Sequence, residues 1–229
     1  LSGSSFVDVG CGSGIVSLVA RRLGAFVRSF DFDPHSVSCT TSIKDRFFPD
    51  DQNWVISEGS IMDGAYISNL GQFDFVYSWG VLHHTGKMWE AIRNASSLCK
   101  ENGCFFISIY NDQGWASRCW WWLKRLYNAA GPYTKKIILF FCFLRLWGPS
   151  MVKDFLRMRP FENYRNYSKE RGMMPITDVI DWVGGFPFEV AKPEEIFDFL
   201  KTDFELIKLK TCGGRHGCNE FVFRRRATK

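Results

Sequence analysis

Val7-Asp8-Val9-Gly10-Cys11-Gly12-Ser13-Gly14 is the stretch from which the rest of the chain can be read. Apolar residues from Phe6 to Val9 suit a short buried strand. The glycines after it let the backbone turn sharply and let a ligand come close where a Cβ would collide. A helical pattern through Val16, Leu18, Val19 and Leu23 follows and stops at Gly24. Strand, glycine turn and helix are weak evidence for nucleotide binding by themselves. Their weight comes from Asp31 in a second strand, Phe26 to Phe32, 21 positions after Gly10 (31 minus 10). A carboxylate there can accept hydrogen bonds from both hydroxyls of a ribose. A dinucleotide fingerprint also wants glycine at position 15, where this chain has Ile15, so a nicotinamide-dependent oxidoreductase is the least supported alternative.

Outward from this motif, strands and helices alternate. Asp33-Pro34 reads as a cap with proline in the first turn of a helix through Val37 and Ile43 that ends before Pro49. Trp54 to Ser57 and Phe73 to Ser78 read as buried strands. Met88 to Leu98 is an amphipathic helix closed by Asn102-Gly103, and Cys104 to Tyr110 is a fifth strand. The alternation predicts a parallel sheet covered on both faces, with right-handed crossovers. From Trp115 to about Trp147 the pattern becomes aromatic and is broken at Gly131-Pro132, predicting two helices within an insertion over 115–175. A helix from Pro193 to Leu200 and strands Phe204 to Thr211 and Cys218 to Arg224, turning at Gly213-Gly214, predict a closing antiparallel hairpin.

With 229 residues, 46% of them hydrophobic and 23% charged, the chain can bury one continuous core in a single domain over 1–229. The net charge of +5 is scattered except at Arg224-Arg225-Arg226, which reads as the solvated end of a strand. Those arginines fall short of the broad basic stripe an RNA surface needs, so no nucleic-acid partner is expected. Eight cysteines form no CxxC pair and read as reduced thiols. Cys212, His216 and Cys218 lie close together but lack a fourth ligand, so no metal is expected. The chain opens on Leu1-Ser2-Gly3 and runs straight into a strand, without a signal peptide; further residues are expected upstream.

The motif resembles the first motif of the class I S-adenosylmethionine methyltransferases, whose second strand ends in an acidic ribose ligand. The likeness extends through Glu58-Gly59-Ser60-Ile61-Met62-Asp63, which falls at that family's adenine loop. It continues through Phe73-Asp74-Phe75-Val76-Tyr77-Ser78 and Val81-Leu82-His83-His84, similar to its fourth-strand segment. The stretch after the fourth strand is most like the ubiquinone and menaquinone biosynthesis type and its small-molecule relatives. Many members have aspartate where this chain has Ser60, whose hydroxyl can still bond the adenine edge. The resemblance implies a Rossmann-like α/β fold: a mostly parallel seven-stranded sheet, an antiparallel last strand and a helical insertion after the fifth. It also implies S-adenosylmethionine as cofactor and S-adenosylhomocysteine as product. Asp8, Gly10, Cys11, Gly12 and Gly14 would surround the methionine moiety, with Asp31 at the ribose. Phe32 and Ile61 would lie on the adenine faces and Ser60 at its edge, while Ser78 and Trp79 would border the sulfonium.

Displacement at a sulfonium needs alignment and a dry site more than a catalytic base. Where the acceptor carries a proton, His83 or His84 would take it, and the two are not separable in sequence. Tyr110 and Asn111, ending the fifth strand, are placed to line the acceptor pocket. The insertion motivates a small, apolar or aromatic acceptor. Its aromatic run is interrupted by Arg145 and is shorter than the roughly 20 residues of a bilayer span. Three uses for 115–147 follow: a lid, a homodimer interface, or a surface peripheral to a membrane. The expected location is cytoplasmic or peripheral to a membrane. The alternatives are an RNA methyltransferase and a catalytically silent cofactor-binding protein.

Overall fold

The structure is a computed structural model and describes residues 1–172, 174–213 and 217–227. The chain divides into two compact units, one formed by 1–113 with 189–229 and the other by Gly114–Phe188.

In the first unit, β1 (Ser5–Val9), α1 (Ile15–Arg22), β2 (Phe26–Asp31), α2 (Pro34–Phe47) and β3 (Trp54–Glu58) alternate as expected. They are followed by α3 (Gly64–Leu70), β4 (Phe73–Trp79), a 3-10 turn at Leu82–His84, α4 (Met88–Ser97) and β5 (Cys99–Tyr110). After the second unit come α9 (Pro193–Leu200), β6 (Phe204–Lys210) and β7 (Cys218–Arg225). The seven strands are ordered β3-β2-β1-β4-β5-β7-β6. The pairings from β3 through β5 are parallel, and β7 runs antiparallel to both β5 and β6. The expected mostly parallel sheet with an antiparallel last strand is therefore present.

Because side chains alternate along a strand, β1 and β2 each supply two cores. Val7, Val9 and Phe30 pack with Ile67, Ala91, Ile92 and Ile196 of α3, α4 and α9. Phe6, Val27 and Trp54 pack instead with Leu18 and Ala20 of α1 and Ile43 of α2.

Four local expectations change. Asn102-Gly103 does not close a helix. Asn102 has φ 60° and lies inside β5, which begins at Cys99 by pairing with Phe73; the register shifts before Phe75 pairs with Cys104. The bend is bought by packing: a Cβ at Gly103 would lie 2.8 Å from the Lys100 carbonyl and 3.0 Å from that of Asp74. Next, α3 is a helix where the sequence pattern predicts no element; it is set by its cap, with Asp63 Oδ1 accepting from the Ala65 and Tyr66 N–H groups. Third, Arg225 is not a solvated strand end, because its guanidinium donates to the Cys99 carbonyl at 2.6 Å.

The fourth change concerns the insertion. It contains α5 (Trp115–Ala129), α6 (Pro132–Leu156), α7 (Glu162–Arg171) and α8 (Pro175–Gly184). The expected span 115–175 falls inside this unit, which also takes in α8. Val179 and Val183 of α8 are buried with Tyr127, Cys142 and Trp147 of α5 and α6. Helix α6 continues through Pro149, past Trp147. Buried Asp154 near its end accepts from the Asn163 N–H at 2.9 Å and so starts α7. Lys124 is fully buried, donates to the Trp182 and Gly185 carbonyls at the end of α8, and lies over the Trp182 ring. Burial pushes its ammonium down to about 8. Among the described residues, no helix is long and apolar enough to cross a membrane.

Candidate functional site

The glycine turn is built by its surroundings. Gly10, Gly12 and Gly14 have φ of +75°, +52° and +75°. The Gly10 and Cys11 N–H groups both donate to the Phe30 carbonyl, and the Gly14 N–H donates to the Cys11 carbonyl at 2.8 Å. A Cβ at Gly10 would meet Val81 Cγ2 at 2.3 Å, and one at Gly14 would meet the Thr40 Cα at 2.9 Å. At Gly12 a Cβ would meet nothing within 4 Å. The outer glycines therefore serve close packing, while the middle one faces open space. Thr40, buried on α2, donates its hydroxyl to the Gly12 carbonyl at 3.0 Å and holds the turn from behind. Nothing in the local sequence marks it.

Asp31 and the turn come together. The Gly12 N–H donates to Asp31 Oδ2 and the Asp33 N–H to Oδ1, both at 3.0 Å, and each oxygen retains capacity for a further donor. The next loop is fastened to the same place, because the Gly59 N–H donates to the Asp31 carbonyl at 2.9 Å. Phe32 is 75% exposed and Trp79 48% exposed, so both rings stand at the surface at the ends of β2 and β4.

Other expected residues lie deeper. Asp8 is buried, and its carboxylate accepts from Ser17 Oγ at 2.5 Å. Ser17 also bonds Ser29, which accepts from the Trp54 indole at 2.8 Å. This buried chain joins β1, α1, β2 and β3 beneath the turn. The Cys11 side chain is turned inward, its sulfur 3.3 Å from the Thr40 hydroxyl, so it offers a ligand only its backbone; burial pushes its thiol up to about 11. Ser78 does not border a cleft. It is fully buried and donates to the Val9 carbonyl at 3.2 Å, tying β4 to β1. Ile61 is likewise in the core, 5% exposed, so it presents little ring-packing surface. Ser60 Oγ accepts from the Met62 N–H at 3.1 Å and shapes its own loop.

Burial pushes Asp8 up to about 6 against a modest opposing effect of Ser17. A raised carboxylate binds its proton more tightly when folded, so the fold gains stability below the ordinary range near 4 and loses it as pH climbs to about 6. Wild type minus Asp8→Asn stability is expected to fall by up to about 3 kcal/mol between roughly pH 4 and 6 and to stay flat above. Urea titrations of both proteins across that range check it; parallel curves would refute it.

The expected acceptor residues cluster. His83, His84 and Tyr110 pack as three rings, with centroids 4.6 Å apart for the histidines, 4.0 Å for His83 and Tyr110, and 5.4 Å for His84 and Tyr110. They come from the 3-10 turn after β4 and the end of neighbouring β5. The histidines differ: His83 is fully buried and His84 half-buried. Asn111 accepts from buried Asn219 of β7 at 3.0 Å, which fixes its amide.

Glu189 was not expected here and had no motif to announce it. Its N–H donates to the His83 carbonyl and its carboxylate accepts from the Met88 N–H, each at 3.0 Å, so one residue holds the histidine turn and the start of α4. Burial raises its carboxyl. No group of metal-binding side chains occurs among the described residues; His216 of the Cys212, His216 and Cys218 trio lies outside them.

Residues 1–136 match the family of methyltransferase domains, and the chain belongs to that family. The fold and glycine turn are those of its Rossmann-like, S-adenosylmethionine-dependent class. Among curated relatives, the ubiquinone biosynthesis O-methyltransferase of Methylobacterium sp. (strain 4-46) is 29% identical over 112 residues, 48% of this chain and 43% of that protein. The corresponding Xanthomonas campestris pv. campestris (strain B100) protein is 31% identical over 119 residues, 48% and 45% of the two chains. The matches thus span less than half of those relatives. Among solved structures, the magnesium protoporphyrin IX methyltransferase of Synechocystis PCC 6803 with bound SAH superposes with a TM-score of 0.56 at 15% identity, covering 98% of this chain and 75% of that one. An N-methyltransferase of Bradyrhizobium japonicum WM9 in complex with S-adenosyl-l-homocysteine gives 0.54 at 13%, covering 99% and 80%.

Proposed function

We propose that the chain binds S-adenosylmethionine across the glycine turn and transfers its methyl group to a small, apolar or aromatic acceptor. The observation that carries this is Asp31: its carboxylate is fastened to the Gly12 N–H at the end of β2, beside a glycine above which a side chain would meet only space. Asp31 would hold the ribose, and Phe32 and Ser60 the adenine. The backbone of Gly10 to Gly14 would follow the methionine moiety, with Asp8 beneath it. When bound, the cofactor supplies an electrophilic methyl on a sulfonium, so the protein's part is to orient the acceptor and exclude water.

For an acceptor that loses a proton, we assign the base to His84 in preference to His83, because His84 alone of the two is not buried. Tyr110 and Asn111 would align the acceptor, and Trp79 would border it. The curated relatives' names, O-methyltransferases of ubiquinone biosynthesis, and the porphyrin methyltransferase support a small conjugated acceptor. The helical unit 114–188 is, in this reading, an insertion within one methyltransferase domain.

The test is methyl transfer from labelled cofactor to a panel of catechols, phenols, amines and structured RNA. Label in a phenol or catechol, reduced at least tenfold by His84→Gln, supports the reading. Label confined to RNA replaces it with the RNA alternative, and tight cofactor binding with no transfer leaves the catalytically silent alternative.

A further inference from the structure

From Gln113 to Lys153 the chain contains no aspartate or glutamate, although seven lysines and arginines fall in that span. Lys124 is buried among the helices; Arg118, Arg125, Lys136, Arg145 and Lys153 are exposed. So long a stretch of one sign gives the α5 and α6 surface a positive field.

The same helices present apolar side chains outward. On α6, Tyr133, Ile137, Phe140, Phe141 and Leu144 follow the spacing of one helical face, and Ile137, Phe140 and Phe141 are 58%, 59% and 63% exposed. Val152 and Phe155 extend the stripe at 61% and 71%. On α5, Trp115, Trp122 and Leu126 repeat the pattern at 74%, 64% and 56%. This is not the core side, because Cys142, on the opposite side of α6, is buried in one cluster with Val179 and Val183 of α8. The cations are spaced to flank the stripe: Lys136 is one turn before Phe140, and Arg145 one turn after Phe141. Arg125 lies over the Trp121 and Trp122 rings at 5.2 and 5.7 Å.

We propose that this unit docks in the plane of an anionic lipid surface, with the α5 and α6 stripes in the acyl boundary and the flanking cations at the headgroups. Exposed Trp, Tyr and Phe beside Lys and Arg suit that boundary, where rings sit at headgroup depth and long cationic side chains reach the phosphates. A second copy would bring two acid-free cationic faces together. Nucleic acid would satisfy the cations and stack on rings, but gives Ile137, Leu144 and Val152 no role. The inference rests on this unit alone and stands apart from the acceptor reading.

The test is flotation of the full chain with vesicles of phosphatidylcholine containing about one-third phosphatidylglycerol, and with phosphatidylcholine alone. Binding is expected to the anionic vesicles and to be roughly tenfold weaker on neutral ones. Phe140→Ser with Phe141→Ser, and separately Lys136→Glu with Arg145→Glu, are each expected to weaken it roughly tenfold or more. All four side chains are exposed, and circular dichroism checks that the variants fold. Absence of flotation, or flotation unchanged by both pairs, overturns the proposal. So does self-association in sedimentation velocity or RNA retention that the same substitutions abolish while vesicles bind nothing. Calorimetry of S-adenosylmethionine on the same preparation registers failure of the cofactor reading separately.

Discussion

Gly10→Ala is expected to destabilise the chain by about 3 kcal/mol or more, whereas Gly12→Ala is expected to fold with a smaller loss and to bind S-adenosylmethionine at least tenfold more weakly. The two positions share a left-handed backbone, at φ of +75° and +52°. That conformation costs an alanine about 1–2 kcal/mol at either site. They differ in what surrounds the new methyl. At Gly10 it would lie 2.3 and 2.6 Å from the two γ-carbons of Val81, so the segment joining β4 to the 3-10 turn must move, adding about 1–3 kcal/mol of overpacking. At Gly12 it meets nothing within 4 Å and enters the space proposed for the cofactor. Urea midpoints and calorimetric titration separate the effects. Full cofactor affinity in a folded Gly12→Ala protein would rule out a ligand passing over this turn.

Asp31→Ala is expected to weaken S-adenosylmethionine and S-adenosylhomocysteine equally, because the ribose is common to both. Hydrogen bonds to a charged group contribute about 1.5–3 kcal/mol, so the loss should be roughly tenfold to 150-fold. Part of it comes from the turn itself, since the Gly12 N–H would lose its acceptor. Asp31→Asn keeps one acceptor oxygen and should fall between. Asp33→Ala, two residues on, removes the α2 cap that accepts from the His35 and Ser36 N–H groups and should lower the urea midpoint without altering affinity. If the Asp33 variant weakened binding as much as Asp31→Ala, the assignment to the ribose would fail.

What could be read from sequence was local. Strand β1, its glycines, the acidic end of β2 and the Asp33-Pro34 cap each occupy a few consecutive residues whose backbone needs are written in their types. The closing hairpin followed from alternation and turn residues. What escaped depends on partners far along the chain. Ser78 and Ile61 sit at the expected places in sequence, but only β1 and the core reveal that they face inward. Thr40 acts on a turn 28 residues earlier, and Glu189 reaches Met88 across 101 positions. The two histidines became distinguishable only through burial, which adjacent identical residues do not encode.

The segments flanking the helical unit meet at one place. Asn111 and Ala191 form a parallel bridge, the Ala191 N–H donates to the Tyr110 carbonyl at 3.0 Å, and the Asp112 N–H donates to that of Ala191 at 3.1 Å. The backbone thus leaves the sheet domain and rejoins it through a seam of neighbouring residues. Such a seam lets evolution exchange everything between Gly114 and Phe188 as a cassette while every strand keeps its register. Any such exchange would leave the glycine turn and Asp31 untouched, because both lie wholly in the other unit.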